Sequence, residues 1–350
     1  MSEEAEVVVE QRGAAGLITL NRPQALNALT LDMVRAIRRA LDNWAVDPAV
    51  TRIVLTAKGE RAFCAGGDIR RLYDLGKAGR IEEALGFWRE EYALNALIKR
   101  YPKPYVALID GIVMGGGVGI SLHGSHRVAG DRYAFAMPEV GIGFFPDVGA
   151  TYVLPRLPGE AGVYLALTGD RVRGADALEL GLATHAVPSS ALGPIRDDLV
   201  AGERVDAVLA AHARDPGHGQ LTPERGLIET CFAPYRVEAI LERLDEAASR
   251  DSAFAKTTAA TIRTKSPTSL AIALEQMRRG PNLSFEEAMR TEFRVVSRIV
   301  DGHDFYEGVR AAIIDKDGVP TWWPRRLDEV DEDRISAHFV ELGPRELQVT

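Results

Sequence analysis

The chain is 350 residues long, 46% hydrophobic and 26% charged, with a formal net charge of -8. This length can bury a large core, the composition is that of an ordinary globular protein, and the acidic balance argues against nucleic acid or an anionic membrane as partner. The two cysteines, Cys64 and Cys231, lie far apart without metal-ligand or CxxC spacing, which fits a reducing compartment and buried thiols.

In chain order, the acidic start Met1–Glu6 has neither an apolar core nor the arginine content of a targeting segment. With no run of about 18 apolar residues, the expectation is a soluble, cytoplasmic protein without a membrane span. Val7–Glu10 and Gly16–Leu20 read as a hairpin around Gly13. Thr30 caps a helix to Trp44, with Met33, Ile37 and Leu41 at helical spacing. Arg52–Thr56 and Tyr105–Ile109 read as buried strands, with a helix over Ile81–Arg100 between them. Gly115-Gly116-Gly117 opens a short helix towards Gly124, and strand-like His126–Ala129 and Tyr133–Ala136 follow. Strands alternating with helices predict an α/β core. Near Pro188 the composition shifts, and to about Arg250 the chain is helical with breaks such as Asp215-Pro216-Gly217. Ser266-Pro267 starts a helix to Arg279, and Ser284 with Glu287 forms a capping box for a helix to Val300. The expected division is residues 1–188, which carry the strands and glycine loops, and a helical region 189–350.

Two loops carry chemical potential. Ala62–Ile69, with Gly66-Gly67, comes after the Arg52–Thr56 strand region; Asp110–Gly117 comes directly after Tyr105–Ile109. Glycine lets backbone N–H groups approach a ligand closely, and the second loop also enters a helix N-terminus. Together the loops could aim two N–H donors at one oxygen, as an enolate or a tetrahedral thioester intermediate requires. The alternative is a pair of tight turns with close helix–strand packing, and the residues alone leave the two readings even. The glycine run is also a poor dinucleotide fingerprint, since the GxGxxG spacing after the first strand is missing.

Leu20-Asn21-Arg22-Pro23 with Ala25–Ala28, the Phe63–Ile69 and Met114–Gly117 loops, Met137-Pro138-Glu139 through Gly143, and Leu167-Thr168-Gly169 resemble, in this order, the crotonase (enoyl-CoA hydratase/isomerase) superfamily. Phe135–Glu139 with Phe145–Gly149, Arg89–Tyr92, Ser266–Leu270 and Gly302–Arg310 are similar to a branch that hydrolyses the thioester of 3-hydroxyisobutyryl-CoA in valine breakdown. The resemblance spans about Val7 to Trp323. It implies stacked ββα units forming a spiral, followed by the helical region. It also implies an acyl-CoA substrate, with no metal and no redox cofactor, since CoA arrives as part of the substrate. Gly67 and Gly116 would supply the oxyanion-binding N–H groups, and the loop around Arg22, Ala25, Leu26 and Ala65 would receive the CoA moiety.

The acids separate the chemistries. Hydratases of the superfamily use two glutamates; here the first matching position is Gly119 and the second is Glu139. Hydration needs coordinated delivery of hydroxide and proton, so the missing acid weakens that reading. Glu139 could instead attack the thioester carbonyl or deprotonate the attacking water. Asp147 would bind the substrate's 3-hydroxyl or position Glu139 and water, and Glu91 matches a substrate-pocket position. The alternatives are a hydratase or isomerase using Glu139 alone, and a non-catalytic acyl-CoA-binding protein. Cys64 reads as a packed thiol, His123 and His126 as non-ligands, Asp68 as a turn anchor, and Trp322-Trp323 as packing residues. The pattern of the C-terminal helices fits docking on their own chain or exchange within a homo-oligomer.

Overall fold

Gly13, at φ +52°, turns the chain between β1 (Val7–Arg12) and β2 (Ala15–Leu20), which pair antiparallel from Val7↔Leu20 to Arg12↔Ala15. The computed structural model describes residues 5–349, so most of the acidic start lies outside the described residues. Thr30 Oγ1 accepts from Met33 N and starts helix α1 (Leu31–Val46), which buries Met33, Ile37, Leu41 and Trp44 on one face.

From β3 (Arg52–Ala57) onward the chain repeats one manoeuvre. A strand enters a large sheet, a second short strand enters a small sheet, and a helix or turn returns the chain. The pairs are β3 with β4 (Ala62–Cys64), β5 (Tyr105–Ile109) with β6 (Ile112–Met114), and β7 (His126–Ala129) with β8 (Ala134–Ala136). Helices α2 (Ile69–Lys77) and α3 (Ile81–Lys99) follow β4, and the four-residue α4 (Gly116–Gly119) follows β6. The large sheet has the order β1-β2-β3-β5-β7-β10 and the small one β4-β6-β8-β9, closed by β9 (Val172–Arg173) and β10 (His185–Ala186). This is the expected spiral of ββα units.

The central parallel strands of the large sheet are buried on both faces, while the antiparallel edge strand β1 is mostly exposed. On β3, Ile53 and Leu55 enter the main core while Val54 enters a smaller one under helices Leu192–Ala201 and Val205–His212. After β10 the chain is helical. Ser266 Oγ accepts from Ser269 N at the start of helix Pro267–Arg279, and the Ser284/Glu287 capping box opens helix Phe285–Ile299. Both dock on their own chain's core through Leu270, Ile272, Met277, Met289, Phe293 and Val296.

One sequence expectation needs correction. The glycine loops do not follow the strands at Arg52 and Tyr105; they follow β4 and β6 in the small sheet. Three-residue strands are too short to show a period of two, so the sequence merged them with their loops. Helix α2 was likewise hidden. It is capped by Asp68, whose side chain accepts from Arg71 N.

Candidate functional site

The strands β4, β6 and β8 are adjacent and parallel. Their C-terminal ends release three segments side by side: Ala65-Gly66-Gly67, Gly115-Gly116 and Met137-Pro138-Glu139. Gly66 has φ +120° and Gly115 φ +44°, conformations that side chains rarely adopt. The two glycine loops press backbone against backbone. A Cβ on Gly116 would sit 3.3 Å from the Gly66 carbonyl carbon, and one on Gly117 would sit 2.4 Å from Cys64 O.

The first loop is also braced from the other side. Leu29 N donates to Gly66 O at 2.9 Å, Asp68 N to Leu29 O at 2.9 Å, and Ala65 N to Leu26 O at 3.0 Å. These bonds flank Gly67 and leave its N–H outside the ladder, while the Gly116 N–H heads α4, where no helical acceptor exists. Among the described residues neither N–H has a hydrogen-bond acceptor.

Around these amides the structure gathers the three expected acids. Glu139, at the head of the short helix Glu139–Ile142, places Oε1 3.5 Å from the position a Gly115 Cβ would take, and its buried Oε2 has no partner. Glu91, on the inner face of α3, sets Oε1 2.6 Å from the corresponding point on Gly116, also without a partner. Asp147 Oδ2 accepts from Tyr92 Oη at 2.8 Å. All three acids are buried. Burial, reinforced by the Asp147 charge, pushes Glu139 well above the usual carboxylate range, and burial with Asp147 and Glu292 does the same to Glu91. Burial lifts Asp147 to about 7 against the opposing Tyr92 hydrogen bond.

A fourth acid escaped the sequence reading. Glu292, fully buried on helix Phe285–Ile299, is lifted to about 8 by burial and by Asp147. Its signal was present, since it interrupts the apolar stripe Phe285, Ala288, Met289, Phe293, Val296 of that helix. Asn27 was missed too. Its buried side chain accepts from Arg22 N at 2.8 Å and donates to Lys58 O at 2.9 Å and Ala62 O at 3.1 Å, fixing the loop of residues 22–29 beside β4.

In that loop Leu26 O accepts from Ala65 N, and Ala25 lies one residue before it at the end of the turn Pro23–Ala25. The Arg22 guanidinium, in contrast, is committed within the protein: to Asp68 at 2.9 Å, Glu6 at 2.9 Å and Ala28 O at 3.2 Å. Gly119 does not face Glu139 across open space. A Cβ there would meet Asn95 Nδ2 at 2.7 Å and Val148 Cβ at 2.9 Å, so Asn95 fills the room a side chain would need. Cys64 is a buried thiol pushed up to about 12, chiefly by burial. His123 is buried, held by Val148 O at 2.6 Å, and burial lowers it to about 4. Trp322 packs and donates to Thr264 O at 3.0 Å, whereas Trp323 is largely exposed, contrary to the packing expected of both.

The sequence profile of a family described as enoyl-CoA hydratase/isomerase matches residues 15–339. The curated relatives include a mitochondrial 3-hydroxyisobutyryl-CoA hydrolase of Xenopus tropicalis, 45% identical over 99% of this chain and 92% of that protein. The protein of the same name from Homo sapiens is 44% identical over 98% of this chain and 90% of its own length. Among solved structures, a carnitinyl-CoA dehydratase from Mycobacterium thermoresistibile superposes with a TM-score of 0.94 at 44% identity, covering 99% of each chain. An enoyl-CoA hydratase from Rhodobacter sphaeroides 2.4.1 gives 0.92 at 39% identity, over 98% of this chain and all of the other.

The relatives' mitochondrial names overturn the cytoplasmic expectation. That expectation rested on the acidic start, on the lack of a long apolar run and on two thiols, now seen to be buried, which suit any reducing compartment equally. Among the described residues no helix is long and apolar enough to cross a membrane. Profile, relatives and superpositions agree with the spiral and its paired glycine loops: the chain belongs to the enoyl-CoA hydratase/isomerase family.

Proposed function

We propose that this chain hydrolyses the thioester of 3-hydroxyisobutyryl-CoA to the free hydroxy acid and CoA, a step of valine breakdown. The observation that carries the reading is the meeting of unpaired amides at Gly67 and Gly116 with the unpartnered Glu139 carboxyl at three adjacent strand ends, where position 119 has no second acid. The relatives named as hydrolases support it.

In this account the thioester carbonyl oxygen lies between the Gly67 and Gly116 N–H groups. Glu139 either attacks the carbonyl carbon, expelling CoA thiolate and leaving an anhydride that water opens, or takes the proton from an attacking water. Both routes put negative charge on the former carbonyl oxygen, where losing one donor costs about 2.7–4 kcal/mol. Burial and the Asp147 charge raise the Glu139 pKa, which makes its carboxylate a stronger base than an ordinary surface acid. Single turnover in 18O-labelled water reveals an anhydride that water opens at the Glu139 acyl carbon, since the product then carries a Glu139 oxygen and 18O enters Glu139; direct water attack puts 18O in the product and none in Glu139. Asp147 accepts a hydrogen bond from the 3-hydroxyl, Glu91 borders the acyl pocket, and Ala25, Leu26 and Ala65 line the CoA entrance. Arg22 holds that entrance together through Asp68. The sequence balances without a metal or redox group, with CoA arriving on the substrate.

The solved structures named as a dehydratase and a hydratase favour a second reading, water addition to an enoyl-CoA. One assay decides. With 3-hydroxyisobutyryl-CoA, hydrolysis releases free thiol in proportion to substrate lost. Loss of enoyl absorbance from an unsaturated thioester without thiol release would instead establish hydration.

A further inference from the structure

The segment that carries Asp147 is not held by the spiral alone. From helix Phe285–Ile299, Glu292 accepts from Gly149 N through Oε2 at 2.8 Å and from Thr151 N through Oε1 at 2.9 Å. From helix Pro267–Arg279, Gln276 Nε2 donates to Pro146 O at 2.5 Å and to Thr151 Oγ1 at 2.6 Å. The main-chain groups that bracket Asp147 on both sides thus find their partners in the C-terminal helices.

Glu292 is an unfavourable choice if it serves only as a cap. It is fully buried, forms no ion pair among the described residues, and adds charge beside Asp147 and Glu91. A neutral acceptor could satisfy one N–H without that electrostatic cost. Two N–H groups, one on each oxygen, call for a side chain with two acceptor oxygens, which only a carboxyl group supplies. A glutamine would turn an NH2 against one of the two donors. The hydrogen bonds from both N–H groups pull towards the ionised form, but burial and the Asp147 charge outweigh them.

We infer that Glu292 is a positioning residue: by gripping the backbone at Gly149 and Thr151 it keeps the Asp147 carboxylate beside Glu139 and Tyr92, and so sets preference for acyl groups bearing a 3-hydroxyl. This rests on the reading of Asp147 as the hydroxyl acceptor. It makes the helical half of the chain a determinant of substrate choice, acting through hydrogen bonds from outside the spiral.

The test measures thiol release from 3-hydroxyisobutyryl-CoA and from isobutyryl-CoA, which lacks only the hydroxyl. The proteins are the parent chain, Asp147→Asn, Glu292→Gln and Glu292→Asp, each with a melting curve. The readout is the ratio of kcat/KM for the hydroxylated over the plain thioester. The ratio should fall about tenfold or more in Glu292→Gln and in Asp147→Asn, with Glu292→Asp between the parent and Glu292→Gln. Equal losses on both thioesters in Glu292→Gln, the signature of a merely structural residue, overturn the inference, as does an unchanged ratio. If Asp147→Asn keeps the parental ratio, the reading of Asp147 falls and this inference with it. A lowered ratio in Asp147→Asn with a parental ratio in Glu292→Gln removes the Glu292 role alone. Should Glu292→Gln not fold, Glu292→Asp decides by the same criterion.

Discussion

At the scale of single residues, the site is an acid cluster with no compensating cation: among the described residues none of Glu91, Glu139, Asp147 and Glu292 forms an ion pair, and each is buried. Glu139→Gln should lower the kcat for thiol release by about 10²–10⁴-fold, the usual contribution of a positioned base, with a much smaller change in KM. Steady-state kinetics check this. The cluster also has a pH signature. Asp147 and Glu292 hold their protons to about 7 and about 8 when folded, against unfolded values of about 3.9 and about 4.3. Folding therefore takes up protons between those limits. The stability these groups contribute is present in full below about pH 4 and is lost as pH rises through about 7 and 8. Asp147→Asn removes one share of that loss, so its melting temperature relative to the parent should climb from about pH 4 to about pH 7. A flat difference would contradict a raised Asp147. Glu139, Asp147 and Glu91 were legible because short local motifs surround them. Glu292 and Asn95 were not, because their meaning lies in partners distant in sequence: Gly149 for one, Gly119 for the other.

At the scale of elements, α3 and α4 decide which chemistry fits. Gly116 and Gly119 on α4 face Glu91 and Asn95 on α3, a pairing of i, i+3 against i, i+4 positions. Restoring an acid by Gly119→Glu should therefore not produce a hydratase. Its Cβ alone would lie 2.7 Å from Asn95 Nδ2 and 2.9 Å from Val148 Cβ, so a lower melting temperature and no hydration product are expected. An active hydratase would show that the packing yields. Asn27→Ala strips three hydrogen bonds from the CoA-side loop. It should destabilise the protein by about 1–3 kcal/mol in chemical denaturation and raise KM for the thioester, because buried partners are left unpaired. The long elements were readable in advance. Thr30, Ser266 and the Ser284/Glu287 box each cap the helix their sequence announces. Of the three-residue strands, β8 was read as a strand, but β4 and β6 were merged with their loops, since three residues are too few to show an alternation, and the sheet they form with β8 went unseen.

At the scale of the whole molecule, one hydrophobic core runs from Ile18 in β2 to Leu347 near the C-terminus, and the helical region completes the surroundings of Asp147. The two regions drawn from composition should then unfold together. Tryptophan fluorescence, reporting Trp44 and Trp88 in the spiral and Trp322 and Trp323 in the helical half, should melt with far-UV circular dichroism in a single transition, and separated transitions would contradict this. Everything in the chemical account depends on three strand ends aiming at one acyl carbon. The most direct measurement is a crystal structure of Glu139→Gln with 3-hydroxyisobutyryl-CoA bound. The thioester oxygen should lie about 2.7–3.1 Å from both Gly67 N and Gly116 N, with the side chain at position 139 facing the carbonyl carbon. A thioester oxygen bound elsewhere, or held by only one of the two amides, would contradict the account.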